Sequence, residues 1–387
     1  MPGKAAALLA CSLALAGCAT RPAAVRIAFS TDSVTHIRAH GLADRATGRR
    51  VTADSDVRVA SISKLVVALG VMRLVEARRL DLDRDVSAYL GWRLRNPGFP
   101  DTPITLRLLL SHRSSLTDGA DYLIPLGDTL RARVADSRAW DAEHRPGSFF
   151  RYTNLNFPVV ASVIERVTGE RFDRAMQRLV IAPLGIDACY GWATCSNGAI
   201  AEAVVLYRAN GAVATDDLHG RPPPCPVIAP SGCDLSLYRP GDNGALFSPQ
   251  GGLRISTRGL ARIGQMLLRK GDGFLSAGSI DELERVVWIY DGSNGATAEG
   301  PGGGFFCRYG LAMQTLPTSR SGCRDDLFGD GHQHVGHAGD AYGLKSGLWI
   351  DRRAGTGVAY VVTAVPEDSR GRHSAFSREE ERMALGR

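Results

Sequence analysis

Hydrophobic and polar positions follow two regimes along this chain. Near both ends they alternate; through the middle they recur at helical spacing. Residues 26–38 alternate and read as one or two strands, and 344–351 with 357–364 read as an antiparallel hairpin turning across Arg352-Arg-Ala-Gly355. The longest apolar run begins in VASISKLVVAL (59–69) and continues to Val75. Leu65, Leu69 and Met72 recur at i, i+4 and i+7, the period of one helix face, with Ser61 at or near the helix start. Further helices are expected at 104–112, 157–168, about 172–179, 258–270 and 377–385, with a shorter piece ending near Leu90. Residues 186–245 keep neither period, and 301–304 are a Pro/Gly loop. Strands at both ends around central helices predict an α+β fold. Its antiparallel sheet is built from N- and C-terminal segments flanked by helices, with an inserted, mainly helical subdomain. Residues 25–387 then form one domain: a sheet part at about 25–65 and 300–387, and a helical and loop part at about 66–299.

The first residues change the compartment. Lys4, the apolar stretch 5–15 and then Leu15-Ala16-Gly17-Cys18 have the layout of an export signal over 1–17, too short to span a bilayer as a finished helix. L-A-G-C in that position resembles a bacterial lipobox. That predicts lipidation at Cys18, a tether over 18–24, and a periplasm-facing lipoprotein of the cell envelope, on the outer membrane if the cell is Gram-negative. The alternative is an ordinary signal peptide cleaved slightly later. Membrane association is expected by lipid anchor only. Six cysteines follow Cys18, and an even number in an exported chain points to disulfides. Many pairings are possible. Neighbour pairing is expected, Cys189–Cys195, Cys225–Cys233 and Cys307–Cys323, because each closes a short Gly/Pro/Ser-bearing loop.

The net charge of +6 comes from 46 basic and 40 acidic residues, the basic ones scattered without a block. This reads as a generally basic surface and not as a nucleic-acid site.

Ser61 and Lys64 lie three residues apart and therefore on one helix face. A serine hydroxyl needs a base to become a nucleophile. A lysine, whose pKa in water is about 10.4, becomes that base only where burial disfavours its charge. The bland reading makes Ser61 a helix cap and Lys64 a solvated lysine.

Two later motifs decide between these readings. Tyr152-x-Asn154 follows PGSFFRYTN, and His337-Ala-Gly339 precedes the C-terminal hairpin. With Ser61-x-x-Lys64, this order resembles the serine β-lactamase and penicillin-binding-protein superfamily, in its class C β-lactamase, D-peptidase and carboxylesterase branch. The segments GLADRATGRRVTADSDVRVASISK, ITLRLLLSHRSSL and 248–267 are similar too. The resemblance implies an acylated nucleophile at Ser61 and Lys64 as its shared base. It implies Tyr152 as proton relay, its phenol pKa of about 10 lowered by Lys64, and Asn154 as the residue positioning Lys64 and substrate. His337 and Gly339 would line the pocket on a strand, with backbone N–H groups of Ser61 and Asp340 as the oxyanion hole. No cofactor and no metal are implied. The expected substrate is a small-molecule or peptide-like ester or amide. His337 stands where β-lactamases more often have lysine, and Ala338 where a hydroxyl is common; both lean away from efficient β-lactam hydrolysis.

Three rivals remain. His332, His334 and His337 in HQHVGH nearly match a metallo-hydrolase signature, but Gly336 stands where aspartate is needed. An α/β-hydrolase needs a G-x-S-x-G elbow, which is missing. A non-catalytic envelope lipoprotein or penicillin-binding sensor of the same fold would not need Ser61, Lys64 and Tyr152 together.

Overall fold

The computed structural model describes residues 22–298 and 303–387. The expected leader and Cys18 lie outside these, as does half of the 301–304 loop. β1 (Ala24–Ser30) and β2 (Val34–His40) resolve the first alternating stretch into two strands. β3 (Asp56–Arg58) runs into α1 (Ile62–Glu76); α2 (Asn156–Thr168) and β4 (Ala188–Tyr190) follow. β5 (Leu253–Ser256) leads into α3 (Thr257–Leu268). The meander β6 (His334–Ala341), β7 (Leu344–Asp351) and β8 (Thr356–Val362) precedes the closing helix α4 (Arg378–Leu385).

One eight-stranded antiparallel sheet has the order 288–289, 308–309, 314–316, β6, β7, β8, β1, β2. The N-terminal hairpin joins the C-terminal meander through β1 and β8, with Ala24 opposite Val362. Alternation sends adjacent residues to opposite faces. Leu348 and Phe29 meet α3, which approaches closely at Gly264; a Cβ there would lie 2.2 Å from Phe29 Cζ. Trp349 and Tyr360 instead pack with Phe376 and Ala384 on the α4 side.

α1 corrects the one-face expectation. Every residue from Ile62 to Met72 is buried. A helix apolar on all sides belongs in the interior. Burying each large aliphatic side chain contributes roughly 1.5–3 kcal/mol, which offsets the cost of carrying Lys64 inside with them. Two other helices are shorter than expected. The 104–112 helix is Leu106–Leu110, capped by Thr105 and ended by His112 at φ +56. The 172–179 helix is Phe172–Met176, widening into a π-turn at Gln177–Ile181.

Within 186–245, β4 joins β3 and β5 in a three-stranded sheet. The disulfides are Cys189–Cys195, Cys225–Cys233 and Cys307–Cys323. No helix among the described residues is long and apolar enough to cross a membrane.

Candidate active site

The site is assembled where α1 begins. Ala60 adopts φ +49, turning the chain sharply out of β3 so that Ser61 stands at the head of α1. The turn is tied down on both sides. Val59 N–H donates to Leu253 O at 3.0 Å, and Ser346 Oγ donates to Val59 O at 2.9 Å. Ser61 makes no side-chain cap bond to the helix, against the bland reading.

Lys64, one turn on, is fully buried. Its Nζ lies 2.9 Å from Ser61 Oγ, 2.9 Å from Asn154 Oδ1 and 2.8 Å from the carbonyl oxygen of Gln250. The Asn154 amide can face only one way. Its Nδ2 and its backbone N–H both donate to Asp118 Oδ2 at 3.0 Å, which leaves Oδ1 for Lys64. Asp118 Oδ1 also accepts from Leu155 N–H at 2.9 Å, holding the entry to α2. Asn154 is therefore not a helix cap.

Tyr152 is clamped between two rings, His112 at 4.2 Å and Phe306 at 4.5 Å, and Lys64 Nζ lies 4.8 Å from its centroid. His112 is buried and accepts at Nδ1 from Thr153 N–H at 3.0 Å. Burial first, then the nearby Lys64 and His337, push the His112 pKa well below the usual histidine range.

His337 lies on β6 with its ring inside. Nδ1 sits 2.5 Å from Ala338 O, which can only accept, so Nδ1 carries the hydrogen and Nε2 accepts from Tyr309 O–H at 2.8 Å. Burial, reinforced by Lys64, lowers its pKa to about 3, so the ring is neutral.

β6 is paired with the 314–316 strand only as far as Gly336, leaving one edge of 337–341 open. Ala338 N–H reaches Gln314 Oε1 at 3.4 Å on that side. Alternation turns the Asp340 N–H to the same open edge. The Asp340 side chain points away to Lys345 Nζ at 2.5 Å. Gly339 is required to be glycine by the protein packed behind it. A Cβ there would meet Val59 O and Ser346 Oγ at 2.4 Å and Ser61 N at 3.1 Å. It faces the protein, and its absence lets β6 lie against the head of α1.

Two cavities meet at Ser61 and Asp340. The larger, about 720 Å³, extends past Asn154 and Gln250 under the 186–245 excursion, with Trp192 and Val227 in its wall. The smaller, about 230 Å³, extends past Tyr152, Phe306 and Lys345 toward Glu380. The structure thus gathers Ser61, Lys64, Tyr152, Asn154, His337, Gly339 and Asp340 in one place. The HQHVGH histidines are not gathered. His332 faces Asp351 at 2.6 Å, His334 faces Asp330 at 3.0 Å, and His337 faces Tyr309. No group of three potential metal ligands occurs among the described residues.

Asp118, His112, Gln250 and Tyr309 were not legible as site residues. Asp118 and His112 lie in or beside the polar loop after ITLRLLLSH, but nothing in their spacing singles them out. The Gln250 contribution is a backbone carbonyl, which no side-chain pattern reports.

A family model described as Beta-lactamase matches residues 14–380. The chain belongs to the Beta-lactamase family. Among curated relatives of this family member, Esterase EstB of Burkholderia gladioli is 34% identical over 185 residues, covering 43% of this chain and 46% of its own length. Penicillin-binding protein 4 of Amycolatopsis lactamdurans is 30% identical over 162 residues, covering 41% and 42%. The matches thus span less than half of either relative. The fold is shared with EstCE1, a hydrolase with promiscuous acyltransferase activity, at TM-score 0.67 and 21% identity over 94% of this chain and 93% of that one. It is also shared with the D-amino acid amidase of Ochrobactrum anthropi SV3, at TM-score 0.66 and 19% identity over 94% and 92%.

Proposed function

We propose that this protein is a serine hydrolase working through an acyl-enzyme on Ser61, with carboxylic esters as its main substrate class. The observation that carries the reading is the surroundings of Lys64 Nζ. A neutral amine has two N–H bonds and one lone pair. Asn154 Oδ1 and the Gln250 carbonyl each take one N–H, which aims the lone pair at the Ser61 hydroxyl 2.9 Å away. In that state Lys64 takes the proton as Oγ bonds to the ester carbonyl carbon and the carbonyl electron pair moves to oxygen. The N–H groups of Ser61 and Asp340 stabilise this oxyanion. A single such donor is typically worth about 10²–10³ in rate. The C–O bond to the leaving group then breaks, Tyr152 gives its phenolic proton to the departing alkoxide, and the proton held by Lys64 passes to the Tyr152 oxygen, restoring the phenol and the neutral amine. Water repeats the sequence to release the acid.

Esters are favoured over penicillins by the inner strand. His337 is neutral and Ala338 has no hydroxyl, so these two positions offer neither cation nor O–H to a carboxylate. The names of Esterase EstB and EstCE1 support the same preference. Three disulfides and the L-A-G-C leader support export and lipid anchoring at Cys18.

Intact-mass analysis of wild type and Ser61→Ala after exposure to a fluorophosphonate, and separately to a penicillin, tests the reading. A phosphonate adduct on wild type alone is expected, with slow or no penicillin adduct. A rapid penicillin adduct would move the function toward peptidoglycan chemistry. Absence of both adducts would leave a non-catalytic envelope protein.

A further inference from the structure

The large cavity beside Ser61 carries a feature the ester chemistry above does not use. Arg58 on β3 and Arg254 on β5 are direct partners in the three-stranded sheet, and both line that cavity. Directly opposed residues share a face, and like charges so placed repel. The two arginines are compensated differently. Arg254 is buried; its Nη2 donates to Asp216 Oδ1 at 2.8 Å, and its guanidinium lies 4.0 Å over the Trp192 ring. Arg58 is half-buried. Its Nε donates to Gly251 O at 3.1 Å, and its guanidinium lies 5.2 Å from the Tyr342 ring.

Among the described residues no carboxylate forms an ion pair with Arg58, and its two Nη groups have no protein acceptor. Each of the other cations of the cavity wall has a carboxylate partner. Asp216 holds Arg254, Asp340 holds Lys345, Asp217 faces His219 at 3.3 Å, and Arg208 faces Glu367 at 3.6 Å. The cation left without a carboxylate at this wall is therefore Arg58, while Asp217, whose Oδ1 makes no hydrogen bond among the described residues, is an acidic group on the same wall. Arg58 stands three residues before the proposed nucleophile, so their Cα atoms lie less than about 10 Å apart, the reach of a fully extended chain, with the turn at Ala60 between them.

Tyr342 adds an independent observation. It takes the first position of the two-residue turn between β6 and β7, at φ +58, followed by Gly343 at φ +74. Such turns favour Asn or Gly, and a tyrosine there costs roughly 1–2 kcal/mol. The residue is 39% exposed and so recovers little of this by burial. Strained residues of this kind concentrate at ligand clamps. What the strained turn achieves is to place an aromatic face under Arg58, two residues beyond Asp340.

We infer that Arg58, set over Tyr342 and beside Arg254, anchors an anionic group on the acyl part of the substrate, so that esters whose acyl chain ends in a carboxylate are preferred over neutral ones. A guanidinium pairs with a carboxylate through two parallel N–H bonds, which fits the two unused Nη groups. The inference rests on the Ser61 reading.

The test compares p-nitrophenyl hydrogen adipate with its neutral counterpart, p-nitrophenyl methyl adipate, after subtraction of spontaneous hydrolysis. Wild type should favour the anionic ester at least about tenfold in kcat/KM at low ionic strength, with the preference falling as salt rises. Arg58→Gln should bring the ratio close to unity, and Arg58→Lys should keep part of it. Equal turnover of both esters by wild type, or an unchanged ratio in Arg58→Gln, overturns the anchor while leaving the esterase reading intact. If neither ester acylates Ser61, the esterase reading fails. Calorimetric binding of adipate to wild type and Arg58→Gln then still decides the anchor, which requires weaker binding in the variant.

Discussion

Asp118 Oδ2 accepts two hydrogen bonds from Asn154, one from the backbone N–H and one from Nδ2, each at 3.0 Å. This pairing fixes which end of the Asn154 amide faces Lys64. Asp118→Asn keeps the shape but can present an N–H to Asn154 and let its amide turn. Hydrogen bonds to charged groups are worth about 1.5–3 kcal/mol, so fluorophosphonate labelling of Ser61 should slow about tenfold to a hundredfold. The thermal midpoint should fall as well, because Leu155 N–H shares the same carboxylate. A labelling rate equal to wild type would remove Asp118 from the positioning of Lys64.

Gly339 and Gly336 separate approach from stability. At 336 a Cβ would meet Leu348 O at 1.8 Å, inside the β6–β7 pair and away from Ser61. At 339 it would meet Val59 O, Ser346 Oγ and Ser61 N. Gly339→Ala should therefore widen the gap between β6 and the head of α1. It should cost at least about 10²-fold in kcat, the worth of one oxyanion donor, in protein that still folds at low temperature. Gly336→Ala should lower stability first, and any folded fraction should keep near-normal labelling. Near-wild-type kcat in Gly339→Ala would show that the strand tolerates the displacement.

Buried His337 gives the protein an acid-side weakness. Its folded pKa of about 3 lies below the usual 6.5, so the unfolded chain holds one more proton between those values. Its stabilising contribution is present in full above about pH 6.5 and is lost as pH falls toward 3, at up to about 1.4 kcal/mol per pH unit per proton. His112 acts in the same direction. Glu165 and Asp56, both raised to about 7 by burial, act in the opposite sense between pH 4.5 and 7. Those groups remain in His337→Asn, so the comparison isolates the histidine. Urea midpoints from pH 7 to 4.5 should fall more steeply for wild type than for the variant. Parallel slopes would mean that His337 takes up a proton in the folded protein.

The sequence made the sheet and the candidate nucleophile legible for different reasons. The hairpin of β7 and β8 alternates because one face meets α3 and the other α4, so burial is written into a period of two. α1 was legible as the helix that carries Ser61 and Lys64, but not as one buried on every side. Its core contacts lie on every side, and a buried segment of that kind has no contrasting polar face to read. Ser61 with Lys64, and Tyr152 with Asn154, are side-chain pairs at short spacings. The parts that orient them are not so placed. Asp118 acts through a turn after a helix that His112 ends at a left-handed position, and the Gln250 carbonyl acts from a distant loop. Gly339 was legible as a residue, yet its purpose depends on a contact between β6 and Val59 that only the folded sheet creates.

Ala338 lies on the inner strand next to the open edge and lines the smaller cavity with Tyr152 and Lys345. The family resemblance puts a hydroxyl at this position in proteins that hold the carboxylate of a penicillin or a peptide terminus. Here the position is a methyl group and the preceding residue is a neutral histidine, so an incoming carboxylate loses water without finding a partner on this strand. Ala338→Thr restores one O–H. A hydrogen bond to a charged group contributes about 1.5–3 kcal/mol, so penicillin acylation of Ser61, followed by intact mass, should speed up roughly tenfold or more. Hydrolysis of a small neutral ester should change little, since no carboxylate is present on its leaving side. His337→Lys is the harsher route to the same end. It places a second amine in the interior beside Lys64, where burial and proximity disfavour protonation of either, and it removes one hydrogen-bond partner of Tyr309. It should lower the thermal midpoint and slow ester turnover even where it improves penicillin binding. If Ala338→Thr accelerates neither substrate, the absent hydroxyl is not what limits penicillin. The limit would then lie in the cavity walls around the site.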